Sequence, residues 1–145
     1  MSELRIIIAG CRDFNDYSFL EKECLRIIKQ TVGKISKNDV TIVSGRATGA
    51  DRLGERFAEK FGLKVKYFPA DWDRFGRRAG PMRNAEMASY ASGSGDKPND
   101  EVKGMLIAFW DGESRGTKNM IDTARKMQLA VHVVDISPMR KEMNR

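Results

Sequence analysis

Residues 40–61, VTIVSGRATGADRLGERFAEKF, pass from a β-branched apolar run through two glycines into an amphipathic segment. Val40, Ile42 and Val43 read as a buried strand, and Gly45 and Gly49 permit backbone angles or close approaches that a Cβ blocks. From about Ala50 a helix is predicted, with Leu53, Phe57, Ala58 and Phe61 on one face and Glu55, Arg56, Glu59 and Lys60 mainly on the other. An anion resting at its N-terminus meets backbone amides and the positive end of the helix dipole. An ordinary tight βα turn, with Asp51 starting the helix and no ligand, explains this stretch alone equally well.

A second stretch repeats the pattern. Met105 to Trp110 reads as a strand, Asp111 to Thr117 as a loop, and the following helix carries Met120, Ile121, Ala124 and Met127 on one face. Gly45-x-x-x-Gly49 and Gly112-x-x-x-Gly116 share one spacing, each with an arginine inside, Arg46 and Arg115. In an open parallel sheet such loops leave the carboxyl ends of strands and line a common crevice.

The rest of the chain fits around these two units. Leu4 to Ala9 barely alternates, as expected of a strand buried on both faces, and it runs into Gly10-Cys11-Arg12-Asp13-Phe14. There Arg12 suits a phosphate and Asp13 a hydroxyl, although the two are equally able to pair with each other. Asp16 is placed to cap a helix ending near Thr31, with Leu20, Cys24, Ile27 and Ile28 buried. After the linker Gly33 to Asp39 and the central unit, Leu63 to Phe68 and Ala130 to Val134 supply two further strands. Residues 70–81 are too polar for core yet carry Trp72 and Phe75 among arginines, which suits either base stacking with phosphate contacts or a surface loop pinned by one tryptophan. Pro81 fits the first turn of a helix ending near Ala91. Arg83 then lies close to the positive end of that helix, a position that favours an anion beside it, unless the arginine is simply solvated. Residues 92–101 read as a flexible loop.

Five strands alternating with four helices predict an α/β, Rossmann-like fold: an open parallel five-stranded sheet, order 3-2-1-4-5, with helices on both faces. Residues 1–136 form one domain in this reading and residues 137–145 a basic tail. A chain of 145 residues is long enough to bury a core without metal or disulfide support. Cys11 and Cys24 belong to no metal-ligand spacing, and the one histidine, His132, lies in an apolar strand and reads as structural, so no metal site is expected. No apolar run reaches the roughly 20 residues that span a bilayer, and the N-terminus lacks a signal-peptide pattern; no membrane association and a cytoplasmic location are the expectations. The net charge of +6 favours anionic partners. Neither glycine loop ends in Gly-Lys-Ser or Gly-Lys-Thr, which argues against a P-loop ATPase.

The ordered motifs Gly10-Cys11-Arg12-Asp13-Phe14, Val43-Ser44-Gly45 with Gly49-Ala50-Asp51-Arg52, Phe68-Pro69-Ala70-Asp71-Trp72, Gly80-Pro81-Met82-Arg83-Asn84, and Phe109-Trp110-Asp111-Gly112 with Ser114-Arg115-Gly116-Thr117 resemble the YspA-like branch of the SLOG superfamily. That superfamily joins DNA-binding Smf/DprA proteins, Lonely Guy phosphoribohydrolases and sensor domains for nucleotide derivatives. The resemblance implies a Rossmann-like fold, a nucleotide-type ligand and a homodimer paired through helices. Arg83 to Met87 is similar to the Arg-x-x-x-Met element of the Lonely Guy enzymes, but Met120 stands where their catalytic glutamate falls.

The leading expectation is a protein that binds a nucleotide or nucleotide derivative, with no cofactor. Ligand contacts are assigned to Gly10, Arg12, Asp13, Ser44, Gly45, Arg46, Gly49, Asp51, Trp72, Arg83, Asn84, Gly112, Ser114, Arg115, Gly116 and Thr117. The enzyme alternative is an N-glycosidase acting on a nucleoside phosphate or ADP-ribose derivative, with Arg83 orienting phosphate and Asp13, Asp111 or Glu86 in acid/base work. A third reading is nucleic-acid binding, which requires affinity that falls steeply with salt.

Overall fold

The computed structural model describes residues 3–32, 36–93 and 102–139. In chain order it contains β1 (Glu3–Gly10), α1 (Tyr17–Val32), β2 (Val40–Ser44), α2 (Ala50–Phe61), β3 (Lys64–Tyr67), a short α3 (Trp72–Phe75), α4 (Ala79–Ser92), β4 (Val102–Trp110), α5 (Arg115–Lys126) and β5 (Ala130–Asp135). The strands form one parallel sheet, ordered β3-β2-β1-β4-β5. Fold class and strand order are therefore as expected from the sequence.

The unbroken apolar run of β1 is explained by two cores. Ile6 and Ile8 point to one face, where they meet Leu20, Cys24 and Ile27 of α1 and Phe57 and Ala58 of α2. Ile7 and Ala9 point to the other, against Met87, Ala88 and Ala91 of α4 and Met120, Ile121 and Ala124 of α5. Arg5 interrupts the run but is buried: its guanidinium donates 2.6 Å to the Tyr90 carbonyl, pairs with Glu3 and lies 3.9 Å from the centre of the Tyr90 ring. His132 sits half-buried in the edge strand β5, where burial and the Arg26 charge lower its pKa.

Three boundaries differ from the sequence reading. Residues 72–78 are helical: the Asp71 carboxylate caps α3 by accepting from the Arg74 amide at 3.2 Å, and a 3₁₀ turn over Gly76–Arg78 leads directly into α4. Pro81 is consequently the third residue of α4, still in the first turn, where amides have no intrahelical acceptor. α5 starts at Arg115, earlier than expected, because Ser114 caps it. The linker residues 33–35, most of the loop 92–101 and the tail 140–145 lie outside the described residues.

The chain winds from β1 out to β3 and then crosses back to β4, so β1 and β4 are neighbours at the point where the winding reverses. Loops leaving their carboxyl ends part there and open a crevice.

Candidate functional site

A cleft of about 440 Å³ occupies that crevice. The end of β1 supplies Gly10 and the loop after it Arg12, while the β2–α2 turn supplies Ala47 and the first turn of α2 Asp51. Trp72, Arg77, Gly80, Pro81, Arg83, Asn84 and Met87 come from α3 to α4, and Ser114, Arg115, Gly116, Thr117, Asn119 and Met120 from the start of α5. Gly10 has no room for a side chain: a Cβ there would stand 2.3 Å from the Phe109 carbonyl oxygen and 3.0 Å from the Ala50 Cβ. This close contact between β1, β4 and α2 sets the floor of the cleft.

Four arginines, Arg12, Arg77, Arg83 and Arg115, line the cleft together with one carboxyl-bearing residue among those described, Asp51. Asp51 is 4% exposed, and its Oδ2 accepts one hydrogen bond, from the Ala47 amide at 3.2 Å. Burial pushes its pKa up to about 6 against the opposing pull of Arg83, the Ala47 amide and Arg12, with Glu55 adding to the rise. Arg83 is half-buried; Nη1 donates to the Gly45 carbonyl and Nε to Asn84 Oδ1 at 3.0 Å, so α4 is tied to the β2–α2 turn. Gly45 makes this possible, since a Cβ there would fall 2.6 Å from Arg83 Nη1 and 2.8 Å from Asp51 Oδ2. Burial holds the Arg83 guanidinium below its ordinary pKa; the Asp51 charge opposes that shift and the Arg12 charge reinforces it. Arg83 and Arg12 make no ion pair among the described residues.

The opposite wall is the N-terminus of α5. Ser114 Oγ accepts from the Thr117 amide at 3.3 Å and lies 3.0 Å from Thr117 Oγ1, while the Trp110 indole donates to the Ser114 carbonyl at 3.0 Å. Gly116 faces open space, and Asn84 bridges to this helix by donating to Asn119 Oδ1 at 2.9 Å. A helix start with an unobstructed glycine, next to an arginine, suits an anion. Replacing Ser114 by alanine is expected to lower stability by about 1 kcal/mol through loss of the cap, measured by urea denaturation.

Other residues singled out from the sequence do not line this cleft. Ser44 is fully buried and donates to Glu55 Oε2 at 2.6 Å. Arg46 takes a left-handed backbone, φ 65°, pairs with Glu55 at 3.2 Å and stacks 4.7 Å from the Tyr67 ring centre. Gly49, φ 80°, packs on the β1 loop, where a Cβ would meet the carbonyl oxygens of Cys11 and Arg12 at 2.3 and 2.4 Å. The Cys11 carbonyl also accepts from the Ala50 amide, so the start of α2 is partly closed by the protein itself. Asp13 is exposed on the β1 loop and Glu86 on α4. Asp111 folds back to accept from the Glu113 and Ser114 amides, both at 2.9 Å, with Gly112 exposed in the turn it makes. Conversely, Ala47, Arg77, Gly80, Asn119 and Met120 line the cleft without having been singled out as ligand contacts. Asn119 and Met120 belong to the first turns of α5, a position that the helix start at Ser114 makes recognisable.

The sequence model of the YAcAr family, the YspA, cpYpsA-related SLOG family, matches residues 4–75. The chain belongs to this SLOG family. The matched span runs from β1 through α3 and so contains Gly10, Arg12, Asp51 and Trp72, while the α4 and α5 walls of the cleft lie beyond it. The SLOG chain is also 28% identical over 136 residues to the gene 61 protein of Mycobacterium phage D29, covering 88% of this chain and 93% of the phage protein. Its fold is similar to that of DNA processing protein A (DprA) from Streptococcus pneumoniae, with a TM-score of 0.58 and 15% identity over 91% of this chain. The SLOG chain spans 50% of that DprA structure. Among the described residues no helix is long and apolar enough to cross a membrane.

Proposed function

We propose that the cleft binds a nucleotide or nucleotide derivative. The observation that carries this reading is the set of four arginines around one carboxyl in a crevice whose wall also contains a half-exposed tryptophan. Family membership supports a nucleotide- or nucleic-acid-related function. Phosphate belongs with Arg83, Arg115 and the start of α5, because each offers donors and positive potential. A sugar hydroxyl suits Asp51, whose carboxyl accepts one hydrogen bond from the described residues, that of the Ala47 amide. The base belongs against Trp72, 47% exposed and held over Gly80, where a Cβ would stand 3.2 Å from the indole.

The test is incubation with a pool of nucleoside phosphates and ADP-ribose derivatives, followed by mass spectrometry of bound and free species. One or more intact nucleotides retained on the protein is the expected result; retention of none contradicts the proposal. Trp72→Ala is expected to weaken the retained ligand roughly ten- to hundredfold, as loss of a stacking surface does. Titration against single-stranded oligonucleotides at several salt concentrations separates this reading from one based on DprA, a protein named for DNA processing.

Asp51 favours a second reading, hydrolysis of the bond between base and sugar. Among the described residues it is the only carboxyl lining the cleft, and a pKa of about 6 suits a general base near neutral pH. Asp51 would take a proton from water as the water oxygen bonds to C1′. The C1′–N bond breaks with its electron pair on the base, and the departing base takes up that proton. Free base released in excess of protein, and abolished by Asp51→Asn, supports this reading; intact nucleotide alone argues against it.

A further inference from the structure

Beside the main cleft lies a second cavity, of about 370 Å³. Arg12, Ala47, Trp72 and Arg83 line both, so the two spaces flank one ridge. On its far side the second cavity adds Arg46, Thr48, Arg52 and Ala70, and among the described residues no carboxylate lines it. Arg46 is already paired with Glu55, and Arg52 donates to the Arg46 carbonyl at 3.1 Å, so these two frame the cavity in fixed positions. The ridge differs. Arg12 and Arg83 bring two positive charges to it, and neither has an ion-pair partner among the described residues. Arg83 is half-buried and Arg12 exposed, and the Asp51 carboxylate of the main cleft acts on both; two positive charges against one negative favour a further anion beside them.

We infer that this ridge holds a phosphate joining two halves of one ligand, with a nucleoside in the main cleft and a second sugar-bearing half in the adjoining cavity. The ligand class is a small dinucleotide, linked by a phosphodiester or a pyrophosphate, and this inference rests on the nucleotide reading of the main cleft. Trp72 stands between the two lobes as a shared wall. The main cleft lies within the volume range of about 300–1,000 Å³ typical of small-molecule sites, and the second adds comparable space. A mononucleotide fills one lobe, whereas a dinucleotide fills both and places its charge where the two guanidinium groups converge.

The experiment compares calorimetric affinities for dinucleoside monophosphates and dinucleoside pyrophosphates of the four common bases, for their mononucleotide halves, and for longer oligonucleotides. At least one dinucleotide is expected to bind about tenfold or more tighter than its better half, the gain that linking two occupied subsites brings. Thr48→Trp, a change at an exposed position on the second cavity, is expected to bring that ratio down to about one, with folding verified by thermal denaturation. Mononucleotides that bind as well as every dinucleotide overturn the inference and leave the proposed function standing. A ratio unaffected by Thr48→Trp overturns it as well. Tightening seen only with longer oligonucleotides overturns it in favour of a nucleic-acid strand. Binding by no member of the series overturns both this inference and the nucleotide reading.

Discussion

Arg83→Ala is expected to weaken nucleotide binding by two orders of magnitude or more while leaving a folded protein. Arg83 faces the cleft from α4, and its guanidinium is half withdrawn from water. Among the described residues it makes no ion pair, and only the charge of Asp51 acts on it from nearby, so an incoming phosphate supplies a direct charge partner. Truncating one partner of such a hydrogen-bonded charge pair costs about 2–5 kcal/mol of binding. The folding cost is smaller, about 1–2 kcal/mol, because what disappears is the bond to the Gly45 carbonyl and the contact with Asn84. Arg83→Lys keeps the charge but not the planar fork, and falls between the two. Isothermal titration at fixed salt, paired with urea denaturation, measures both effects. Unchanged affinity in Arg83→Ala removes this residue from the site.

Asp51→Asn is expected to make the free protein more stable at pH 8 and less able to hold its ligand. The folded-state pKa of about 6 lies above the ordinary 3.8, so the native protein binds this proton more tightly than the unfolded chain does. Stability from this group is therefore greatest below pH 4, declines as pH rises between those two values, and stays low above them. The gap corresponds to roughly 3 kcal/mol. An asparagine keeps an oxygen for the Ala47 amide and carries no charge, so the variant gains up to that amount at pH 8, a rise of several degrees in Tm. Near pH 4 the two proteins converge. A Tm difference independent of pH contradicts the assigned shift. Stability gained together with affinity lost is the expected signature of a buried charge retained for binding.

The alternation of strands and helices was legible because each element carries its own period. Leu4 to Ala9 is apolar apart from Arg5 since both faces of β1 are covered, and Leu53, Phe57 and Phe61 recur at helical spacing because only one face of α2 meets the sheet. The glycine loops were also legible as places of tight backbone, and Gly10, Gly45 and Gly49 all have neighbours where a Cβ would stand. Spacing could not reveal which way a loop residue turns. Each glycine loop holds one arginine, yet Arg46, just after the first glycine of its loop, lies in the left-handed region and pairs with Glu55, while Arg115, just before the last glycine of its own, opens α5 at the edge of the cleft. Asp111 looks like a free carboxylate in the sequence and is spent on the turn that carries Ser114. Asp51 reads as a helix-starting residue, and its burial beside Arg83 depends on α4 packing across the β2–α2 turn. That contact joins segments 38 residues apart, as in the Arg83–Gly45 bond, and no local pattern encodes it.

The central claim, that the crevice between β1 and β4 receives a nucleotide, is tested most directly by amide chemical-shift mapping of isotopically labelled protein titrated with the tightest nucleotide. Shifts concentrated at Gly10, Ala47, Gly116, Thr117 and Asn119, saturating together, are the predicted result. Shifts confined to the β5 edge or the outer face of α1, or none at concentrations where the nucleotide is known to be retained, would contradict it.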